Sequence, residues 1–501
     1  MKKILLSALL LAALHSQAQN KNTLLDQDFW KATPSISTVK DAISKGASPS
    51  EMNPMAFDAV VLAIMNDAPI ETIKYLTEQK GNSVEKLTHD GRTYLFWAAM
   101  KGNVPAMQYF IQKGANVNTE DSHAMTALSF AAAGGVKNTD VYETLIKAGA
   151  DIKKKYQKGA SLLLVSVGND SPDLTLSNYL VSKGFSLKDK DADGNTAFDY
   201  AARVGNIDLL KKLKEKGVFP TANAMIFASQ GTRRSASTLD VYQYITSVGI
   251  PASAVNKSGE NALDALVRKP KQEEIISWFI QNGANPNQVD NSGNTPFYYA
   301  SSSRDTSVLA MLLPKLKNIN LANKEGETPL MNAVQNGNTQ VVNYLLEHGA
   351  NPEAKDAKGN NLAYYLIQSY RGKNAGRGMG RGGDNGKDFK EKLALLQSKG
   401  VQLNALQNGS NTLYHLAIAK NEVDLLKEIS NLNIDLNAKN SDGLTALQRA
   451  AMISKNDQVL KYLIEAGAQK DVKTDMDETA YDLAKENEYL TKNNISIDFL
   501  K

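Results

Sequence analysis

The sequence predicts an all-helical solenoid, built from short helix-turn-helix units that stack in chain order because none is stable alone. Three observations carry that prediction. The chain has 501 residues, more than one core of about 100–200 residues needs, yet its 42% hydrophobic and 22% charged content is that of a folded protein. A small-residue stop recurs at Gly46, Gly114, Gly149, Gly184, Gly217, Gly249, Gly283, Gly349, Gly400 and Gly467, at intervals of 68, 35, 35, 33, 32, 34, 66, 51 and 67. Halving the long intervals gives about 33–34 residues, with unmarked copies ending near Gly81, Lys317 and Asn433. Between stops, the same features return in the same order.

A turn comes first, as in Asp90-Gly91-Arg92, Asp193-Gly194-Asn195, Ser292-Gly293-Asn294, Glu325-Gly326-Glu327 and Asp442-Gly443-Leu444. A short helix follows, opened by Thr93, Thr126, Thr196, Thr295, Thr328 or Thr445. Threonine can cap a helix start, and Pro296 or Pro329 in the first turn costs no helical hydrogen bond. Alanine pairs (98–99, 131–132, 201–202, 450–451) let neighbouring helices approach closely. The second helix carries apolar residues at helical spacing, such as Val341, Val342 and Leu345. Glycine ends it, where the chain must turn left-handed.

This order of turn, T-P-L-H-x-A-like helix, second helix and G-A-x-x-N exit resembles the ankyrin repeat. Gly114-Ala115-Asn116-Val117-Asn118 and Gly283-Ala284-Asn285-Pro286-Asn287 carry the exit, and Thr412 to Ala417 keeps the motif histidine, His415. The resemblance covers nearly all of the chain and implies an ankyrin-repeat solenoid of about 13–14 copies. Copies near 22–53, 54–87, 153–188 and 220–252 have lost the T-P-L-H core.

The organisation expected from end to end is as follows. Residues 1–18 read as a secretory signal: Lys2 and Lys3, an apolar run from Ile4 to Leu14, and Ser16-Gln17-Ala18 before a mature start at Gln19. Residues 19–53 form an N-terminal capping repeat, 54–370 the array, 371–387 a Gly/Arg-rich insertion between two helices, 388–471 the continued array and 472–501 a C-terminal cap. No later run is long enough to span a bilayer. Removing the signal lowers the formal charge from +4 to +2, which argues against an electrostatic search for nucleic acid. With no cysteine, stability rests on packing. The lysine-led signal and absent disulfides suit the periplasm of a Gram-negative bacterium, with secretion as the alternative.

Three readings of the insertion stay open. It is a tolerated surface loop, an anion-binding flap through Arg371, Lys373, Arg377, Arg381 and Lys387, or an RGG-like nucleic-acid segment. The last lacks the interleaved aromatics that stack bases.

No catalytic constellation is readable, so no enzyme, metal or cofactor is expected. His89, His123, His348 and His415 fall in separate repeats without partners at metal-ligand spacing. There is no G-x-S-x-G elbow or phosphate-cradling loop. Asp191 with Asp193, and Asp471 with Asp475, read as residues that hold turns by local hydrogen bonds. In each of Tyr298-Tyr299 and Tyr364-Tyr365, one ring should lie in the core. His415 should bond backbone in the neighbouring hairpin, as the resemblance implies.

The resemblance also implies a protein partner, bound across hairpin tips and the concave face of the first helices. The tip candidates are Arg92, Asn195, Lys257, Glu260, Asn294, Lys324, Glu325 and Lys358; the first-helix candidates are Lys101, Arg203, Arg268 and Gln335. The expected function is a monomeric, non-catalytic binding scaffold of the bacterial envelope. A carbohydrate or cell-wall binder and a secreted host-directed effector are the alternatives.

Overall fold

The computed structural model describes residues 22–232, 237–372 and 386–501, and among these there is no strand, only helices and one isolated bridge between Gln407 and Asn411. The signal segment therefore lies outside the described residues. Two compact units divide the chain, the first ending at Ile250 and the second starting at Pro251.

Among the described residues each unit is a succession of seven helix pairs, fourteen in all. In the first unit the pairs begin with Gln27–Lys31 and Ile36–Ser44, followed by Ala59–Met65 and Ile70–Thr77, Tyr94–Lys101 and Val104–Gln112, and Ala127–Ala133 and Thr139–Lys147. Leu162–Ser166 and Thr175–Ser182, Ala197–Ala202 and Ile207–Glu215, and Asn223–Gln230 and Leu239–Ser247 complete it. The second unit opens with Ala262–Leu266 and Glu273–Gln281, Pro296–Ala300 and Ser307–Leu312, Pro329–Asn336 and Thr339–Glu347, and Leu362–Ser369 and Lys387–Ser398. It closes with Leu413–Ile418 and Val423–Glu428, Ala446–Ile453 and Gln458–Glu465, and Ala480–Glu486 and Glu488–Lys492. The four copies without the T-P-L-H core are helix pairs like the rest.

Threonine starts the first helices as its chemistry dictates. The hydroxyls of Thr126, Thr196, Thr295, Thr328, Thr445 and Thr479 accept the amide three residues on, at 3.1–3.4 Å. Where threonine is missing, Asp58 and Ser161 do the same for Val61 and Leu164. Thr93 departs from the expectation: it makes no cap, and its buried hydroxyl has no partner among the described residues. The alanine pairs are fully buried, so first helices of successive copies pack backbone to backbone. A first helix of five to eight residues could not exclude water alone; stacking supplies the missing wall.

All ten predicted stop glycines have φ between +75° and +110°, and two less obvious ends are left-handed as well, Gly81 at +89° and Asn433 at +51°. The end expected at Lys317 is different. There Ser307–Leu312 runs into a 3-10 turn, Leu313–Lys315, because Pro314 has no amide hydrogen with which to continue the helix.

Past the stop, an asparagine staples four of the copies to the next. Asn118 donates from Nδ2 to the Gly149 carbonyl (3.0 Å) and accepts from the Asp151 amide (3.0 Å). Asn287, Asn320 and Asn437 repeat this with 315/317, 349/351 and 467/469. Lys153 takes the place of the staple one copy later and donates from Nζ to the Lys183 carbonyl (3.2 Å). The hairpins also touch directly: the amides of Ser122, Ala192, Asn291, Lys324, Ala357 and Ser441 each donate to a carbonyl of the preceding tip at 2.7–2.9 Å. This approach requires glycine at 326, where a Cβ would lie 2.4 Å from the Ala357 nitrogen at a φ of +76°.

Candidate protein-binding surface

Of the turn acids read from the sequence, Asp191 holds its hairpin, with a partner the sequence did not suggest; Asp193 is ion-paired to Lys158, and the turn at 474–478 is held not by Asp471 and Asp475 but by Thr474, whose Oγ1 accepts the amides of Met476 and Glu478 (both 3.2 Å). Asp191 accepts the amides of Asp193 and Asn195 (both 2.9 Å), and its second oxygen accepts the hydroxyl of Tyr200 (2.9 Å). Asp290 with Tyr299 (2.5 Å) and Asp356 with Tyr365 (2.8 Å) repeat the arrangement, and Trp97 Nε1 donates to Thr88 Oγ1 (2.8 Å) at the same nine-residue spacing. Each hairpin is thus tied to its own first helix. Burial, then the neighbouring carboxylate, raises all three phenols, that of Tyr299 to about 12, so they remain donors. The tyrosine pairs are corrected accordingly. Tyr365 is buried and Tyr364 half-buried, as expected, but Tyr298 and Tyr299 are both half-buried because each hydroxyl reaches an acid, Glu327 and Asp290. Asp475 lies against Gly443 and within 3.9 Å of Lys439 Nζ, across to the preceding hairpin.

In several copies the third residue of the first helix bridges to the following hairpin. His415 is fully buried: Nδ1 accepts from the Thr412 amide (3.2 Å) and lies 2.8 Å from its hydroxyl, while Nε2 lies 2.9 Å from the Leu444 carbonyl. That is the neutral imidazole with its proton on Nε2, and burial lowers its pKa. Gln448 imitates it, accepting the Thr445 amide (2.8 Å) and donating to the Val472 carbonyl (2.8 Å). Asp199 accepts the amides of Thr196 and Thr221, both at 2.8 Å. Asp264 accepts only the Asn261 amide (2.8 Å); its other oxygen is buried without a partner, and burial pushes the carboxyl up to about 7.

The predicted partner residues separate into two groups. Arg92 is not a surface residue: it is 7% exposed, its Nε donates to the buried Asp121 (2.8 Å), Nη1 lies 3.1 Å from Asp90, and the guanidinium stacks 4.3 Å over Phe130. Asn195, 2% exposed, bonds Asp191 and Asn223. Asn294 and Glu260 are half-buried in their own hairpins, bonded to Asp290 and Asn256, and Lys101 is ion-paired to Asp67. Position in a turn misled here, because the residue after the turn glycine points back toward the helix. Lys257, Lys324, Glu325 and Lys358 are exposed at tips, as are Arg203 and Arg268 at first-helix ends, and Gln335 is half-buried. Of the insertion, Arg371 is exposed and Lys387 is already the first residue of Lys387–Ser398; Lys373, Arg377 and Arg381 lie outside the described residues.

Among the described residues four aromatic faces are covered by guanidinium groups: Phe130 and Trp97 by Arg92, Phe227 by Arg203 at 4.7 Å and Tyr299 by Arg268 at 3.7 Å. A sugar stacking on those rings would find them occupied. Among the described residues no three carboxylates or histidines are placed to hold a metal, and no helix is long and apolar enough to cross a membrane.

Helix pairs at this period, stapled tip to tip, define a class, and comparison with known proteins agrees. A family model for ankyrin repeats matches residues 60–156, 135–224, 240–356 and 385–489. The chain belongs to the ankyrin-repeat family, whose stacks are protein-interaction scaffolds. It is similar to an ankyrin repeat protein of Rickettsia felis, 26% identical over 285 residues, 56% of this chain and 70% of that one. It is also similar to the ankyrin repeat and KH domain-containing protein mask-1 of Caenorhabditis elegans (26% identical; 53% of this chain, 10% of that one) and to alpha-latrocrustotoxin-Lt1a of Latrodectus tredecimguttatus (24%; 69% and 25%). The chain thus spans a quarter or less of the last two relatives.

Proposed function

We propose that the protein is a non-catalytic scaffold, exported to a bacterial cell envelope, that binds another protein across its hairpin tips and first-helix ends. The observation that carries this is a division of labour among the polar residues. The described polar groups inside the stack are largely taken up in caps, latches and staples, whereas Lys324, Glu325 and Lys358 project from rigid hairpins with solvent around them. Side chains fixed on a stiff frame lose little entropy on docking. The charged start and apolar run of residues 2–14 support export. The covered ring faces favour a protein partner over a glycan. A photo-crosslinking residue at Lys324 or Lys358 should trap one protein stoichiometrically in cells that make the chain, whereas the same probe at Lys461 should not. Equal trapping from both positions, or none, would overturn the proposal.

A further inference from the structure

The tips of the second unit are mixed in sign, but the ends of its first helices are not. In the six copies from Asn261 to Ile453, the positions seven and eight residues past the cap of each first helix, at or just beyond its end, carry Arg268 and Lys269, Ser302 and Ser303, Gln335 and Asn336, Gln368 and Ser369, Ala419 and Lys420, and Met452 and Ile453, with no carboxylate in the row. Neighbouring members meet: Lys420 Nζ donates to the Gln368 carbonyl (3.4 Å), and Arg268 reaches the next copy's Tyr299. The row is thus cationic at one end, amide- and hydroxyl-bearing through the middle, cationic again and finally apolar, with Met452 and Ile453 47% and 46% exposed.

Arg268 is the member best prepared for a ligand. Its guanidinium lies 3.7 Å from the Tyr299 ring centroid, and it makes no hydrogen bond or ion pair with any described residue. The ring beneath it is fixed by the Tyr299 hydroxyl, which bonds Asp290 and Asn294. The nearest acids on the hairpin side have their oxygens engaged, Asp290 by Tyr299 and backbone amides, Glu327 by Tyr298 and Asn323. A planar cation held flat on a ring, with its N–H fork unspent, matches a carboxylate that can accept two parallel bonds.

We propose that this row binds an extended acidic polypeptide segment, with Arg268 as the carboxylate anchor. The inference rests on the scaffold reading above and names the chemistry of its partner. Five helices at about 8–10 Å spacing, from Arg268 to Lys420, span roughly 35–40 Å, the reach of about 12 extended residues.

The test is fluorescence anisotropy of the full chain with a fluorescein-labelled peptide of about 12 alternating glutamates and serines, against its glutamine twin. The acidic peptide should bind at least about tenfold more tightly than the twin. Arg268→Ala should remove most of that preference, and Arg268→Lys should restore only a minor part, because lysine keeps the charge but loses the fork. Lys461→Ala should leave binding unchanged. Equal affinity for the two peptides would overturn the proposal, as would full affinity in Arg268→Ala. Crosslinking at Lys324 with no preference for the acidic peptide would sink this inference alone; trapping of no protein at all would sink the scaffold reading.

Discussion

Replacing Arg92 with methionine asks whether this residue belongs to the frame or to the binding surface. In the structure Arg92 is the counterion of Asp121, whose side chain is wholly buried. Asp121 has one oxygen satisfied by the amides of His123 and Met125, at 2.8 and 3.0 Å, and the other only by Arg92 Nε at 2.8 Å. Methionine keeps the apolar contact with Phe130 and strips the charge from a carboxylate that has no water to turn to. Leaving a buried ion unpaired costs on the order of 3–5 kcal/mol, and the lost guanidinium–ring contact adds about 1. Arg92→Met should therefore destabilise the first unit by about 4 kcal/mol in urea unfolding followed by far-ultraviolet circular dichroism, with amide exchange quickening from residue 88 to 133. Asp121→Asn in the same chain should recover more than half, since the ion that needed a partner is gone. A loss under about 1 kcal/mol, or unchanged stability with partner binding abolished, would refute the burial argument and return Arg92 to the interface.

Four further outcomes are expected. Asp264 binds its proton more tightly when folded than when unfolded, so the second unit should lose stability as pH rises from about 4 through 7, by no more than about 4 kcal/mol; Asp264→Asn should flatten the melting-temperature profile over that range. Gly326→Ala, with its positive φ and a Cβ 2.4 Å from Ala357 nitrogen, should cost about 1–3 kcal/mol in chemical denaturation, and a neutral result would contradict the tip-to-tip approach. Ala201→Asp puts a charge where no atom is exposed and should cost more than about 3 kcal/mol; an unaltered melting curve would show that copy to be misplaced. Amino-terminal sequencing of protein recovered from cells should begin at Gln19, and an intact Met1 would remove the export proposal.

The frame was legible because it rests on local chemistry. A helix cannot end in these tight exits without a left-handed residue, so the ten glycines marked every stop but those at Gly81, Asn433, Asn494 and the proline-broken end near Lys317. Threonine caps and alanine contacts were likewise visible, as was the contact from His415 to Leu444. The surface was harder to read, because exposure depends on what the next copy brings. Arg92 and Asn195 follow their turn glycines, whereas the exposed Lys257, Lys324, Glu325 and Lys358 precede theirs; the first is drawn inward by Asp121, 29 residues away, and the second by Asp191 and Asn223. Thr93 has a capping residue's identity without its bond. The nine-residue spacing from turn acid to tyrosine was present in the sequence at 191/200, 290/299 and 356/365, and becomes a signal only once hairpin and helix are known to face each other.

The acid–tyrosine latch also bears on how such a surface can change over generations. Because the hydroxyl of Tyr200, Tyr299 or Tyr365 grips the base of its own loop, the few side chains beyond the grip can be exchanged without shifting the loop or disturbing its neighbours. Specificity can drift at the crest while the foundations stay put, and the latched loops are where divergent relatives should show their greatest variety.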